Sequence, residues 1–196
     1  MEVLMADGED DDTRGRDEPL FTLVDVLHRE HASMRELLSL MQAEAERRGP
    51  PDYALLREIL QYCETYPGHY HHPKEDLIYR ALCAEAPGVA ARLEDLEAEH
   101  LVMSFAAAQT LRLVEAAAAG EAAARDRLPQ KVDAYLRFYR SHMRREEREF
   151  FPAALEILTA EQWLALESQV VNPTDPLFAE RAAQRLRDML SHSHTD

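Results

Sequence analysis

Four of the nine histidines interrupt apolar stripes at helical spacing, and they are the residues best suited to chemistry. They are His31, His71, His100 and His142. A single histidine on an apolar face is usually a core residue that is hydrogen-bonded to a neighbour. A carboxylate follows two of the four at the same distance, since Glu75 lies four residues after His71 and Glu146 four residues after His142. This repeated pairing of imidazole with carboxylate indicates a metal site.

The four histidines belong to an internal repeat. The letters EHASM at residues 30–34 match EHLVM at 99–103, and HHPKED at 71–76 matches HMRREE at 142–147. The separations agree, because positions 31 and 71 are 40 residues apart and positions 100 and 142 are 42 residues apart. Two similar helix pairs related by a pseudo-two-fold axis would place two equivalent half-sites face to face.

The spacing within each half suits metal ligation. Residues four apart lie on the same face of a helix, so His71 with Glu75 and His142 with Glu146 are predicted to point inward together. Four imidazoles and two anionic carboxylate bridges suit two ions of the Fe, Mn or Zn kind. Without metal, the two glutamates would be core acids with a large desolvation cost or a raised pKa. The alternative is a pair of surface carboxylates on a rotated face, which fits Glu75 better because Pro73 disturbs the helical phase there.

A rival di-metal site can be tested by spacing. Ferritin-like di-iron bundles carry Glu-x-x-His on each of two helices. Only Glu97-x-x-His100 fits that motif among the four histidines, so the ferritin-like pattern fails.

Four long helices are predicted to position these residues, as an antiparallel up-down four-helix bundle in an all-α fold. We expect helix one to begin near Leu20, and helix two to begin at an Asp52 cap and to be interrupted at Pro67-Gly68. Helix three follows Pro87-Gly88, and helix four has Pro129 near its first turn. The predicted domains are an acidic disordered tail over 1–18, the bundle over 19–171, and a loop with an extra packed helix over 172–196.

Composition narrows the functional classes. The chain has 196 residues, a formal net charge of −15, only six Gly, and 46% hydrophobic residues. The charge argues against nucleic acid or an anionic membrane surface as a partner. We expect no transmembrane segment and no signal peptide, and the two cysteines cannot form a disulfide framework. The expected compartment is therefore the cytoplasm, with the oligomeric state open and a monomer allowed.

The pattern His, His-x-x-x-Glu, His, His-x-x-x-Glu on four successive helices resembles the hemerythrin-like, or HHE cation-binding, family. The resemblance extends over about residues 20–171 and includes the letters YPGHYHHPKED at 66–76, HMRREE at 142–147 and FPA at 151–153. The letters DPLF at 175–178, just beyond this range, also match. It implies two iron ions joined by an oxo or hydroxo bridge, with Zn or Mn as substitutes. The implied terminal ligands are His31, His71, His100 and His142, and the implied bridges are Glu75 and Glu146.

The resemblance also bears on function. Oxygen-carrying members place a fifth histidine one turn after the helix-three histidine, where this chain has Ser104. The implied function is therefore binding of oxygen, nitric oxide or peroxide for sensing, scavenging or the handling of iron and oxidative stress. Two alternatives stay open: a di-iron enzyme that turns over peroxide or nitric oxide or repairs iron–sulfur centres, and a metal store or structural metal bundle. The sequence shows no dedicated general acid or base beyond the ligands.

The other histidines are interpreted as bystanders. Since adjacent helical residues diverge by about 100°, His72 is expected beside the site or on the surface, although it is the first candidate for a fifth ligand. His28 and His69 are expected to flank the site, and His192 and His194 to be exposed. Tyr139, one turn before His142, is expected in the pocket wall, where it could ligate a metal or hydrogen-bond an added ligand.

Overall fold

The computed structural model describes residues 23–93 and 96–170, and these contain helices and no strand. In chain order the α-helices are α1 (Leu23–Ala45), α2 (Tyr53–Tyr66), α3 (His72–Glu85), α4 (Pro87–Ala90), α5 (Leu96–Ala118), α6 (Ala122–Arg145), α7 (Phe151–Ile157) and α8 (Ala160–Glu167). Two π-helical segments, π1 (Pro67–His71) and π2 (Glu146–Phe150), join α2 to α3 and α6 to α7. The predicted acidic tail, and the predicted C-terminal helix with His192 and His194, lie outside the described residues.

Four rods form the bundle and confirm the predicted helical fold. They are α1, the continuous α2–π1–α3, α5, and the continuous α6–π2–α7. In the order α1, α2, α5, α6, each rod packs on the next, and α6 packs on α1. Two apolar clusters fill the interior. One contains Met34, Met103 and Tyr139, and the other contains Leu27, Ile78 and Phe151.

The expected interruption at Pro67-Gly68 is a change of helix type and not a break. Helix α2 ends at Tyr66, π1 begins at Pro67, and the second rod continues into α3. Its start is as predicted, because the Asp52 side chain accepts hydrogen bonds of 3.0 Å from the backbone N–H groups of Ala54 and Leu55. At the far end the N–H of His72 donates to the carbonyl of Pro67, five residues back. A proline ring clashes with the carbonyl four residues before it, and this wider turn immediately precedes Pro73.

The same π-turn before a proline recurs in the fourth rod. The N–H of Phe151 donates to the carbonyl of Glu146, and Pro152 follows at once. Helix α6 begins at Ala122, so Pro129 lies inside it and not in its first turn as expected. Pro129 is exposed, and water can therefore solvate the carbonyl that its missing N–H leaves unpaired. Gly120, at φ +100°, ends the preceding helix as predicted.

The third rod begins later than expected. Pro87 and Gly88 begin the short α4, and the long helix α5 starts only at Leu96. By length and composition alone α5 is apolar enough to cross a membrane, a property that the sequence analysis did not expect of any segment. In the bundle α5 packs between α2 and α6, while Leu101, Val102 and Phe105 remain exposed.

Candidate metal centre

All six predicted ligands meet in the middle of the bundle, between the two apolar clusters. Their relative exposures range from 0% to 5%: His31 0%, His71 2%, Glu75 0%, His100 5%, His142 3% and Glu146 0%. Helix α1 and the π1–α3 segment supply His31, His71 and Glu75, which form the first half-site. Helix α5 and the α6–π2 segment supply His100, His142 and Glu146, which form the second half-site.

Glu75 has one oxygen facing each half-site. Its Oε1 lies 3.2 Å from Nε2 of His71 and 3.5 Å from Nε2 of His31. Its Oε2 lies 3.4 Å from Nε2 of His100, across the bundle. The i, i+4 spacing accounts for the His71 contact, and the antiparallel packing of the rods accounts for the contact across the bundle.

Glu146 has the mirror-related arrangement. Its Oε1 lies 2.8 Å from Nε2 of His142 and 3.6 Å from Nε2 of His100, and its Oε2 lies 3.4 Å from Nε2 of His31. Each carboxylate therefore reaches donors from both half-sites, which is the geometry that a bridge between two ions requires.

Seven atoms at this centre are buried and have no hydrogen-bond partner. They are Nε2 of His31, His100 and His142 and both oxygens of Glu75 and Glu146. Unpaired buried polar atoms are costly, and two buried carboxylates cost most. Their donor chemistry, imidazole nitrogen and carboxylate oxygen, fits a pair of first-row metal ions. The donors also divide into two sets of mutually close atoms, one with His31, His71 and Glu75 and one with His72, Glu75, His100 and His142.

A carboxylate holds the outward nitrogen of each of the four histidines. Nδ1 of His31 lies 3.0 Å from Glu147, and Nδ1 of His100 lies 3.0 Å from Asp76. The remaining two contacts are His71 Nδ1 to Glu30 at 2.7 Å and His142 Nδ1 to Glu99 at 2.9 Å. With Nδ1–H donating outward, each ring directs the lone pair of Nε2 into the centre, as a metal ligand must.

The sequence analysis did not assign a role to these four carboxylates, although a signal was present. Glu30 and Glu99 occupy matching positions in the repeat, one residue before a histidine, and Asp76 and Glu147 occupy matching positions one residue after a glutamate. An acid that recurs next to a ligand in both halves is the pattern of a group that orients the ligand of the opposite rod.

Basic side chains in turn contact three of these carboxylates. Lys74, itself only 2% exposed, pairs with Glu30, which also accepts a 3.2 Å hydrogen bond from the Tyr66 hydroxyl. Arg145 pairs with Glu99, and Arg35 pairs with Glu147. These basic side chains compensate the negative charge of the outer carboxylates, which therefore do not rely on the central histidines alone for a counter-charge.

The pKa values show how the metal-free centre balances its own charge. Burial works against both carboxylates, yet His71, His100 and His31 hold the pKa of Glu75 well below its usual range. Burial also opposes protonation of the histidines, but Glu75 and Glu30 raise the pKa of His71 to about 10. Asp76, Glu146 and Glu75 likewise raise the pKa of His100 to about 11 against its burial. Protons on histidines therefore occupy the place that metal cations would take.

Of the two places expected for His72, the structure shows the one beside the site and not the surface. The side chain is 5% exposed and its ring stacks on His100, with centroids 3.9 Å apart and an interplanar angle of 3°. Burial, followed by the proximity of His100, lowers the pKa of His72 well below its usual value, so this ring is neutral.

The other singled-out residues lie around the centre. His28 and His69 are exposed, as expected for flanking residues. Tyr139 is buried and its hydroxyl donates to Sδ of Met34 at 3.3 Å. Ser104 is half-buried one turn beyond His100, where a Cβ on Gly68 would come within 3.9 Å of its Oγ. The two rods therefore approach closely beside Ser104.

Comparison with known proteins agrees with this geometry. The family model described as the hemerythrin HHE cation binding domain matches residues 22–154, which include all six predicted ligands. Uncharacterized proteins of Mycobacterium bovis and Mycobacterium tuberculosis are 24% identical over 183 residues, covering 92% of this chain and 72% of theirs. No solved structure matches the chain.

Proposed function

Because this chain belongs to the hemerythrin HHE cation-binding domain family, we propose that it is a non-haem di-iron protein that binds oxygen, nitric oxide or peroxide. His31 and His71 would hold one ion, His100 and His142 the other, and Glu75 and Glu146 would bridge them. Iron, when bound there, supplies coordination positions for a small ligand and electrons for its reduction. Sensing, scavenging and the handling of iron or oxidative stress are the roles that such binding serves.

One observation carries this proposal: the unpaired Nε2 and carboxylate oxygen atoms converge in a site from which water is nearly excluded. Each bridging carboxylate has an oxygen facing either half-site, with its shortest imidazole contacts at 3.2 Å for Glu75 and 2.8 Å for Glu146. Four further carboxylates fix the imidazoles at Nδ1, and outer-sphere partners of this kind typically improve metal affinity by about 10–100-fold.

Burial supports a small, uncharged ligand. The centre lies between two apolar clusters, and none of the six ligand side chains is more than 5% exposed. A charged substrate would lose its hydration on entry, whereas oxygen, nitric oxide and hydrogen peroxide are small and neutral.

The experiment that tests the proposal is metal analysis with an optical spectrum, on protein purified under air from iron-rich cultures. We expect two iron ions per chain and a charge-transfer band that added azide shifts. His100→Ala should lose the band, and the matched control His69→Ala, at an exposed position, should keep it. An iron content near zero or one per chain would overturn the proposal, and stoichiometric zinc without a band would support the structural-bundle alternative.

A second measurement separates binding from turnover. The reduced protein is mixed rapidly with oxygen, nitric oxide or peroxide, and the spectrum and the ligand concentration are followed together. A binding protein forms a stoichiometric adduct and consumes no more than about one ligand per centre. Continued loss of peroxide or nitric oxide over many equivalents would identify the enzyme alternative.

A further inference from the structure

His72 belongs by sequence to the first half-site and by position to the second. It directly follows His71, yet its ring stacks on His100 at 3.9 Å and meets the His142 ring edge-on at 6.2 Å. The His71 ring lies 5.7 Å away and is tilted by 61° from it. The two adjacent histidines therefore face different parts of the centre.

The His72 ring places a nitrogen among ligand atoms of the second half-site. One donor atom each from His72, Glu75, His100 and His142 lie within 4.8 Å of one another. Two ligand atoms at about 2.0–2.2 Å from a common ion cannot be more than about 4.4 Å apart. Because an imidazole binds a metal in its ring plane, shared ligation also requires the His72 ring to turn out of its parallel stack on His100. The first half-site has its own set, His31, His71 and Glu75, which does not include His72.

The local backbone differs between the two matching positions. In π1 the N–H of His72 bonds to the carbonyl five residues back, so the turn is wider and consecutive side chains diverge less than in an α-helix. The matching residue of the second half, Met143, is also buried but joins the apolar cluster. The same position is thus apolar in one half and a potential ligand in the other.

No carboxylate among the described residues holds a nitrogen of His72. Carboxylates lie within 3.0 Å of Nδ1 in His31, His71, His100 and His142, whereas no carboxylate of residues 23–93 and 96–170 forms an ion pair with His72. Stacking alone orients the ring. A buried imidazole that is not committed to a hydrogen bond can turn either nitrogen toward a cation.

We propose that His72 is a fifth imidazole ligand, bound to the ion that His100 and His142 hold. This inference rests on the proposed function. It divides the ligands unequally, with three imidazoles on the second ion and two on the first. The open coordination position then lies on the ion held by His31 and His71, and not beside Ser104. His72 thereby supplies from the second rod the imidazole that Ser104 cannot supply from α5.

Titration of the whole metal-free chain with Co(II) tests this assignment. Co(II) reports both the affinity of each ion, through visible absorption, and the number of ligated imidazoles, through paramagnetically shifted N–H resonances. The wild type should bind two ions and show five shifted imidazole N–H signals. His72→Phe keeps an aromatic ring for stacking and removes the nitrogens, so one ion should bind at least tenfold more weakly and one signal should disappear. His69→Phe is the matched control, because His69 is exposed and lies two residues before the ligand His71, and this variant should behave as the wild type does.

A second variant keeps the test decisive if Phe does not fit. His72→Ala opens a space beside His100, and added imidazole should restore the affinity of the weakened ion and the fifth signal. Two ions of unchanged affinity and four signals in both wild type and His72→Phe would show that the ring only supports His100, and would overturn the fifth ligand. A wild-type chain that binds fewer than two ions would instead overturn the proposed function.

Discussion

The contacts that hold His71 are more enclosed than those that hold His142. The side chain of Glu30, which holds His71, is 5% exposed, and the side chain of its partner Lys74 is 3% exposed. Glu99, which holds His142, is 22% exposed, and its partner Arg145 is 24% exposed. One repeated ligand motif therefore lies in two environments, because the residues around each copy have diverged.

The position of the π-turn is the second difference between the halves. Segment π1 ends at His71, so it precedes the His-x-x-x-Glu motif of the first half-site, whereas π2 begins at Glu146, after the corresponding histidine. In each case a proline follows two residues after the π-segment, Pro73 in one rod and Pro152 in the other. The wider turn thus lies at a different place in each motif, while the residue after the histidine, His72 or Met143, is buried in both halves.

The largest effect is expected from substitution of the proposed bridging residues Glu75 and Glu146, which contact both half-sites. Glu75→Ala and Glu146→Ala should each reduce the metal content from two ions per chain to one or none, because each carboxylate contacts both half-sites. At metal concentrations about 100-fold above the dissociation constant, loss of one ion removes about 2.7 kcal/mol, or roughly 5–10 °C in Tm. Metal analysis and thermal denaturation measure this, with Glu97→Ala, in the surface pair with Arg80, as the control. Full iron in both variants would contradict the bridging assignment.

The free energy of unfolding of the metal-free chain should decrease at high pH, because one histidine in each half-site loses its proton. A histidine whose pKa is raised on folding stabilises the fold below its unfolded pKa of about 6.5, and this stabilisation is lost as the pH rises through the folded value. For His71 and His100 the folded values are about 10 and about 11. The Tm of metal-free protein should therefore fall steadily from about pH 6.5 to pH 10–11.

Thermal denaturation across this range, with and without bound metal, checks the prediction. Metal replaces the protons at the histidines, so the loaded protein should show a much smaller decline over the same range. Parallel declines with and without metal would mean that the ligand histidines are not the groups that titrate.

The outer carboxylates leave both ions bound but with lower affinity, and their effect on the stability of the metal-free chain separates the half-sites. Glu30→Gln should lower metal affinity by about 10–100-fold and destabilise the fold by about 3 kcal/mol, because buried Lys74 loses its counter-charge. Glu99→Gln should lower affinity similarly but cost less than about 1 kcal/mol, since its pair with Arg145 is partly exposed. Denaturant unfolding of the metal-free variants and metal titration measure the two quantities. Equal losses of stability in the two variants would remove the distinction between the enclosed Glu30–Lys74 pair and the more exposed Glu99–Arg145 pair.

The smallest expected effect concerns Ser104. If His72 completes the second ion, Ser104→His should leave the metal content unchanged and alter azide affinity less than about twofold in the wild-type background. In the His72→Ala background the same substitution should restore much of the lost affinity for the second ion, because it supplies an imidazole one turn from His100. Azide and metal titrations of the four proteins give the comparison. A large effect of Ser104→His in the wild type would indicate an open position beside α5, as the family resemblance alone suggests.

The sequence by itself determined the helical fold and the set of residues that meet at its centre. The two His-x-x-x-Glu motifs place their members on one face, and the apolar residues around them require that this face be buried. The repeat then implies that the two faces oppose each other. These are local properties, since a spacing of four residues has the same meaning in any α-helix. Glycine and proline signals were weaker guides, because Pro67-Gly68 ends α2 without ending the rod, and Pro129 lies inside α6.

Only the tertiary structure decided which group holds which ligand. Glu147 is 116 residues from His31, and Asp76 is 24 residues from His100, so no periodicity connects them. The environment of His72 was likewise beyond the sequence, because an angle of about 100° between neighbours holds only for a regular α-helix. The π-turn before Pro73 changes that angle, and the packing of α5 against the second rod supplies His100 as a stacking partner. Such contacts depend on how the rods are set against each other, a property that no single segment encodes.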